Sequence, residues 1–451
     1  MDAEAAQLTQ QFTEVYRNLK LFPLFTQTEI EAFRVPYGQA ALGKLRREVS
    51  YSSDNAKFLF TGHRGCGKST LLGEFARQMR ERQNLFVVGF SIADMVEMSD
   101  VNHVNILYSI AIRLMERAIE KDVPIQEEDR KTLEGWFTQT KSKTYNQQIQ
   151  EQISIGANLF NFFTGKLQTE KAFREEIKET FQNSVSDLAS QIDRIAAAIQ
   201  IATKREVLVI IDDLDKLDLP LVRAIFQDNI NSLYLPNIRI VFTIPIAVIR
   251  ETKLMATIRG RSEVIQLPVT KFFHKSDAHQ PGAQPIEENV TMLAAVMNRR
   301  IPAELIEPET MRALVLMSGG VLREMVRLGQ ECCRECLLVL DMAADAGSDA
   351  GSDAGPDAGS DAGSARTAVK IDQAILQRAA RNLRIDFARS LGQTSTEMLR
   401  QTYENFKPED ANSDDFLELL HGLYVLEYEN DELWYDLHPL IQDLLRRQGL
   451  I

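Results

Sequence analysis

FLFTGHRGCGKSTLL, residues 58–72, joins an apolar run to a glycine-rich loop and a helical sequence. The apolar run is typical of a buried strand, and the loop has the pattern G-x-x-x-x-G-K-[ST]. Glycines let successive backbone N–H groups point at one anion, and the next helix adds the positive end of its dipole. Lys68 would reach the outer phosphates, and the Ser69 hydroxyl would hold Mg²⁺. The stretch therefore predicts a nucleotide-phosphate site formed by Gly62, His63, Arg64, Gly65, Cys66, Gly67, Lys68, Ser69 and Thr70.

A second motif, EVLVIIDDLDKL, occupies Glu206–Leu217. Its five apolar residues are typical of a strand buried on both faces, and they end at Asp212 and Asp213. Carboxylates at the carboxyl end of such a strand lie beside the crevice where ligands bind in an open α/β sheet. We predict that Asp212 holds Mg²⁺ through water and that Asp213 orients or deprotonates the attacking water. The alternative is an Asp-rich turn after a core strand.

Together the two motifs resemble those of P-loop ATPases in the broad AAA+ and STAND group. The IDDLDKL wording is most similar to the KAP and STAND branches. By motif order the resemblance spans roughly residues 35–340. It implies an α/β fold with a P-loop NTPase core, in which helices flank a mostly parallel sheet. It also implies ATP and Mg²⁺ as ligands and ATP hydrolysis as the activity.

The resemblance also implies three further groups of site residues. Thr243 ends the strand-like run Asn237–Thr243 and matches the polar first sensor of AAA+ proteins. Arg259 and Arg261 precede a strand-like run, as does the AAA+ arginine that projects at a neighbouring subunit's nucleotide. Their alternative is a pair of solvated arginines.

The third of these groups lies near residue 320. Arg323 follows Ser318-Gly319-Gly320, as at the start of the second-sensor helix, and would be a phosphate ligand. The alternative is a surface arginine.

Composition limits the class of protein. The 451 residues are 44% hydrophobic and 25% charged, which is ordinary for a soluble protein of two or three domains. No apolar run approaches membrane-spanning length, and the polar N-terminus is unlike a signal peptide, so we expect a cytoplasmic protein. Cys332, Cys333 and Cys336 fall in a helical pattern and are expected in the core. The net charge of −13 argues against general nucleic-acid affinity.

Composition shifts and periodicity predict the domain organisation. The spacing Phe173, Ile177, Phe181 and onward to Ile199 predicts one long amphipathic helix. Its apolar seam suits either a helix of the same chain or a partner, and Leu159–Phe163 is either packed or an exposed docking tip. The predicted parts are an N-terminal helical segment (1–50), an ATPase core (51–285) with a helical insertion (about 101–203), a helical lid (286–342), a disordered Asp/Ala/Gly/Ser linker (343–365) and a winged-helix-like domain (366–451).

The C-terminal part is predicted to consist of helices, a hairpin and a last helix, which is the order of a winged helix. Many winged helices bind DNA, but residues 401–451 are strongly acidic. The basic cluster Arg378, Arg381 and Arg384 has the spacing of a solvated helix face, so a protein contact is favoured.

We therefore expect an ATP-hydrolysing switch or assembly ATPase that acts through a protein partner or as a homo-oligomer. The resemblance suggests bacterial stress or antiviral defence. One alternative is a DNA-acting initiator or loader. Another is a non-hydrolysing scaffold, since Asp-Asp replaces the AAA+ Asp-Glu.

Overall fold

The chain folds into two compact units. The sheet unit comprises Gly38–Gly62 and Lys68–Leu267, and the helical unit comprises Met1–Tyr37, His63–Gly67 and Pro268–Ile451. The tip of the glycine-rich loop thus belongs to the helical unit by its contacts. The computed structural model describes residues 3–24, 26–139, 159–349, 369–389, 391, 393–429 and 432–451.

A five-stranded sheet with the order β2-β3-β4-β1-β5 forms the centre of the sheet unit. Every pairing in it is parallel, so the carboxyl ends of all five strands lie along one edge. Strands β1, β3 and β4 are almost entirely buried, which is why their sequences are continuous apolar runs. The predicted α/β core with a mostly parallel sheet is confirmed. The strands are β1 (Lys57–Thr61), β2 (Phe86–Ser91), β3 (Val207–Asp212), β4 (Arg239–Ile244) and β5 (Ser262–Gln266).

Helices make up much of the remaining described chain. None of the described helices is long and apolar enough to cross a membrane. In chain order the α-helices are α1 (Ala3–Asn18), α2 (Gln27–Phe33), α3 (Gln39–Tyr51), α4 (Lys68–Arg82), α5 (His103–Glu120), α6 (Glu127–Gln139), α7 (Leu159–Thr169), α8 (Lys171–Phe181), α9 (Val185–Thr203), α10 (Leu219–Arg223), α11 (Ile230–Leu233), α12 (Thr252–Ile258), α13 (Glu287–Asn298), α14 (Pro308–Met317), α15 (Leu322–Asp349), α16 (Gln373–Ala388), α17 (Gln393–Asn405), α18 (Asp414–His421) and α19 (Pro439–Arg447).

The prediction of one long helix across residues 173–199 is wrong, because the chain breaks between α8 and α9. The apolar seam nevertheless continues across the break, and its members are buried except for the partly buried Val185. Both helices pack against α5, so the seam is filled inside the sheet unit. Phe160 and Phe163 of α7 are buried too. The intramolecular interpretation of this seam is therefore the correct one, and part of the predicted insertion, residues 140–158, lies outside the described residues.

In the helical unit, α15 packs against α1 and α16. It buries Cys332, Cys333 and Cys336 completely, as expected of small core residues. The helix continues through Ala343 to Asp349, so the start of the predicted linker is helical. The rest of that linker lies outside the described residues.

The C-terminal part of the helical unit has the predicted order of helices, hairpin and helix. Strands β6 (Val425–Glu429) and β7 (Leu433–Leu437) pair in antiparallel register with Tyr428 opposite Trp434. Of the three residues between these strands, 430 and 431 lie outside the described residues. The identification as a winged helix and the domain boundaries stay predictions.

Candidate nucleotide site

The glycine-rich loop leaves β1 after Thr61 and enters α4 at Lys68. Gly62 has φ 152°, and a Cβ there would come within 2.5 Å of the Leu267 carbonyl oxygen, so only glycine fits. The Lys68 ammonium lies 2.8 Å from the Gly62 carbonyl oxygen and 2.8 Å from Oδ2 of Asp215. Both charged side chains are buried. Lys68 is therefore turned back over the loop and neutralised by Asp215.

Three carboxylates converge at the carboxyl end of β3. Oxygens of Asp212, Asp213 and Asp215 lie within 4.8 Å of one another. Asp212 accepts a 2.8 Å hydrogen bond from the Asp213 N–H, and the Ser69 side chain lies near enough to Asp212 to lower its pKa. The two predicted Mg²⁺ ligands, Ser69 and Asp212, are thus neighbours. Clustered carboxylate and hydroxyl oxygens are the donors that Mg²⁺ prefers, so these residues fit that ion.

The electrostatics of Asp212 follow from this crowding. Burial, followed by the charge of Asp215, raises the pKa of Asp212 from 3.8 to about 6. The neighbouring Ser69 side chain opposes this shift. A bound cation would offset both unfavourable effects, because it favours the ionised carboxylate.

Replacing Asp212 with asparagine should therefore stabilise the metal-free protein at neutral pH. Protonation of Asp212 stabilises the fold fully below pH 3.8, and that stabilisation is lost as the pH rises through about 6. The neutral Asp212→Asn variant should gain about 2 kcal/mol in the free energy of unfolding at pH 8 and about half of that at pH 5. Denaturant unfolding in EDTA at both pH values measures the difference. Asp94→Asn, at an exposed aspartate, is the control, and a gain for Asp212→Asn that does not grow with pH would contradict the assignment.

Asp213 is held in a different way. It adopts a left-handed backbone conformation with φ 69°, which turns the chain sharply away from β3. Its Oδ2 accepts a hydrogen bond from the Ser91 hydroxyl at 2.6 Å, and its Oδ1 lies 2.6 Å from the Lys216 ammonium. The carboxylate predicted to act on the attacking water is thus fixed by the end of β2 and by its own turn.

Thr243 lies at the end of β4, between β1 and β3. Its hydroxyl is buried, accepts a 3.0 Å hydrogen bond from the Leu214 N–H and lies 3.3 Å from the Ile211 carbonyl oxygen. The side chain therefore fastens the acidic turn to the neighbouring strand. Its role as a phosphate sensor stays a prediction.

Arg259 and Arg261 lie on the exposed segment between α12 and β5. Arg261 donates a 2.6 Å hydrogen bond to Oδ1 of Asn231, and its guanidinium lies 5.1 Å from the centre of the Tyr234 ring. Within the described chain, the Arg259 side chain makes no hydrogen bond or ion pair. Arg259 is thus the better placed of the two to contact another molecule.

In the helical unit, the loop tip His63–Gly67 contacts α15 and β6. The Arg323 N–H donates a 3.0 Å hydrogen bond to the Gly65 carbonyl oxygen. Gly65 has φ 81°, and a Cβ there would lie 2.6 Å from the Arg323 Cβ, which requires glycine. Nε2 of His63 accepts a 2.8 Å hydrogen bond from the Glu427 N–H. The Arg323 backbone therefore lies against the loop, and the role of Arg323 as a phosphate ligand stays a prediction.

The remaining predicted loop residues lie where the motif requires them. Cys66 is fully buried, and its N–H donates to the His63 carbonyl oxygen at 3.4 Å. Gly67 has φ 88°, while Ser69 and Thr70 belong to the first turn of α4. Arg64 is partly buried.

Sequence reasoning assigned no role to Asp215, Ser91 or Lys216. Asp215 was visible in the acidic motif, three positions after Asp212. Ser91 ends β2, and its register places it opposite Asp212. A polar residue at the end of a strand was thus the available clue to Ser91, whereas nothing distinguished Lys216 from a surface lysine.

One known protein family matches part of this chain. Residues 45–244 match the KAP family P-loop domain. No curated protein sequence is significantly similar to this chain. The Orc1 protein of Aeropyrum pernix, solved in complex with DNA, aligns over 92% of this chain and 94% of its own with 11% identity and a TM-score of 0.38. Cdc6p from Pyrobaculum aerophilum aligns over 96% of this chain and 98% of its own with 8% identity and a TM-score of 0.39.

The matched family domain contains both motifs, from the strand before the glycine-rich loop to Thr243. The prediction of a P-loop NTPase with a KAP-like acidic motif is confirmed by this match. A P-loop NTPase domain implies that the natural ligand is a nucleoside triphosphate, typically with Mg²⁺.

Proposed function

We propose that this protein binds ATP with Mg²⁺, hydrolyses it slowly and uses the nucleotide state to control a protein partner or its own assembly. The observation that carries the proposal is the buried pair of Lys68 with Asp215 at 2.8 Å, beside the cluster of Asp212, Asp213 and Asp215 and next to Ser69 at the start of α4. P-loop enzymes need these groups together, because one metal ion must be held by the loop hydroxyl and the strand carboxylate while lysine neutralises the outer phosphates. Asp213 is the candidate general base.

Two observations support the proposal that the nucleotide state acts through contact with a protein, and not through a second metal site or through DNA. Among the described residues, Asp212, Asp213 and Asp215 form the one group of His, Cys, Asp or Glu side chains that could hold a metal ion. The basic cluster predicted on α16 is partly neutralised, since Arg378 pairs with Glu335 and Arg384 pairs with Asp443. A DNA footprint on this helix is correspondingly weak. A stress or antiviral-defence response is the setting that the motif resemblance suggests.

The proposed activity is tested by measuring ATP binding and phosphate release with purified protein, with and without Mg²⁺. We expect binding that is tightened by Mg²⁺ and a slow, Mg²⁺-dependent release of phosphate. Failure to bind ATP–Mg²⁺ would refute the proposal. Binding without turnover would instead support the non-hydrolysing scaffold.

If the protein works as an assembly, Arg259 completes the active site of a neighbouring subunit. The ATPase rate per subunit should then rise with protein concentration, and Arg259→Ala should lower turnover about 1,000-fold without weakening ATP binding. Mixing this variant with Asp213→Asn should restore part of the activity, because a mixed interface pairs an intact Asp213 with an intact arginine. Arg261→Ala is the matched control, since Arg261 is held by Asn231. Turnover that is independent of concentration, together with full activity of the Arg259→Ala/Arg261→Ala double variant, would instead indicate a monomeric switch.

A further inference from the structure

The loop tip is bonded to the C-terminal hairpin, which consists of β6 and β7. Nε2 of His63 accepts the Glu427 N–H at 2.8 Å, and the side chain of His63 and residue Glu427 are both buried. A buried hydrogen bond cannot be replaced by one to water when it breaks, so the donor would be left unpaired at a free-energy cost. The bond therefore favours joint movement of the loop tip and β6.

Neighbouring contacts strengthen this connection. The Tyr428 hydroxyl, one residue further along β6, donates a 3.0 Å hydrogen bond to the Gly319 carbonyl oxygen. A Cβ on Gly319 would lie 2.6 Å from Cδ1 of Leu426, so this glycine lets β6 approach closely. The turn before α15 is thus fastened to β6, while the first turn of α15 is bonded to Gly65. The loop tip, the α15 start and β6 form one packed cluster.

The loop sequence itself does not require a histidine at position 63. In G-x-x-x-x-G-K-[ST], phosphates are bound by backbone N–H groups, lysine and the hydroxyl, so the four x positions are chemically unrestricted. A fully buried imidazole that bonds to a strand far along the chain serves a purpose other than phosphate binding. The length of the histidine side chain suits a bond to β6, because a shorter side chain would not bring an acceptor to the Glu427 N–H.

We propose that His63 is a positioning residue that relays nucleotide occupancy of the P-loop to the C-terminal hairpin through its bond to Glu427. Phosphates bind to the loop's backbone N–H groups, so their arrival changes the conformation that the loop prefers. His63 transmits that change to β6, and β7 follows through the antiparallel pairing. The proposal rests on the proposed ATP binding. In it, the hairpin of β6 and β7 is the segment whose conformation responds to bound nucleotide.

The hairpin contains its own reporter. Trp434 lies opposite Tyr428 in the register, and the two rings stack with centroids 4.8 Å apart. Trp136, the second of the chain's two tryptophans, lies in α6 of the sheet unit. Replacing Trp136 with phenylalanine gives a parent protein in which all tryptophan emission comes from the hairpin.

The experiment records Trp434 emission in the Trp136→Phe parent while ATP–Mg²⁺ is added, and measures ATP affinity separately with a labelled nucleotide. In the parent we expect an emission change that saturates with ATP occupancy. His63→Leu keeps the backbone N–H groups of the loop but has no side-chain acceptor, and it should lose the emission change even at ATP concentrations that saturate it. His63→Gln can place an amide oxygen where Nε2 lies and should keep the change. An emission change that is kept in His63→Gln but lost in His63→Leu shows that the hydrogen bond to Glu427, and not side-chain packing alone, transmits the change.

Several results would overturn the inference. These are a silent Trp434 in a parent that binds ATP, a full response in His63→Leu, or loss of ATP binding in His63→Leu alone. If the leucine variant does not fold, His63→Asn takes its place, because its amide is too short to reach Glu427 and the same loss of response is expected. A parent that binds no ATP would refute the proposed function as well, so the two failures are distinguishable.

Discussion

Lys68→Ala should weaken the binding of ATP–Mg²⁺ by about 100-fold or more. The ammonium of Lys68 is buried at the loop and is the cation best placed to neutralise the outer phosphates. Alanine removes that charge and leaves Asp215 buried without its partner, which adds repulsion toward the phosphates. Equilibrium binding of a fluorescent ATP analogue measures the loss, and unfolding curves show whether the variant is folded. An unchanged affinity in a folded Lys68→Ala variant would disprove the site assignment.

Asp215→Asn offers a test in the opposite direction. ATP must draw Lys68 away from Asp215 in order to use its charge, because the two are paired at 2.8 Å. Asparagine weakens that competing pair. The Asp215→Asn variant should therefore bind Mg²⁺-free ATP more tightly than the unsubstituted protein does. Asp213→Asn is the matched control, since it removes a carboxylate of the same cluster that is paired with Lys216 instead. An equal gain in both variants would show that total charge, and not release of Lys68, determines affinity.

Asp213→Asn should keep ATP–Mg²⁺ bound while reducing phosphate release by about 100-fold to 10,000-fold, the range for loss of a general base. An asparagine oxygen can still accept the hydrogen bond that Ser91 donates to Asp213, so the geometry is retained. Asparagine cannot, however, take a proton from water. Single-turnover phosphate release at saturating ATP measures the effect separately from binding.

Asp212→Asn provides the contrast. It removes a carboxylate of the proposed Mg²⁺ site, so we expect weaker Mg²⁺-dependent binding and not merely a slower chemical step. The division of roles between Asp212 and Asp213 is wrong if the two variants show the same binding and the same turnover.

Much of the sheet was predictable because its strands are buried on both faces. Val207–Ile211 is an apolar run, Asn237–Thr243 is mostly apolar between its polar ends except for Arg239, and both coincide closely with observed strands. The break between α8 and α9 was not predictable from periodicity. The apolar spacing of four and three continues through it, since both helices present their seam to the same neighbour, α5.

The site was predictable where one motif contains all of its members and unpredictable where members meet only in three dimensions. Lys68 and Ser69 follow from the loop pattern, and Asp212 follows from the strand before it. Ser91 meets Asp213 only because β2 lies beside β3, a neighbour relation that no local pattern specifies. The bond between His63 and Glu427 was even less accessible, because its partners are distant in sequence and one of them is a backbone group.

That separation has a consequence for biosynthesis. His63 and Glu427 are 364 residues apart, and translation at about 5–20 residues per second separates their synthesis by roughly 18 to 73 seconds. Every strand of the parallel sheet leaves the ribosome during this interval, while the loop tip still lacks its hydrogen-bond donor. A nascent or prematurely terminated chain that ends after β5 but before residue 427 therefore contains β1 to β5 but lacks the Glu427 N–H to which the loop tip bonds. The loop tip can form its bond to Glu427 only after translation has passed residue 427.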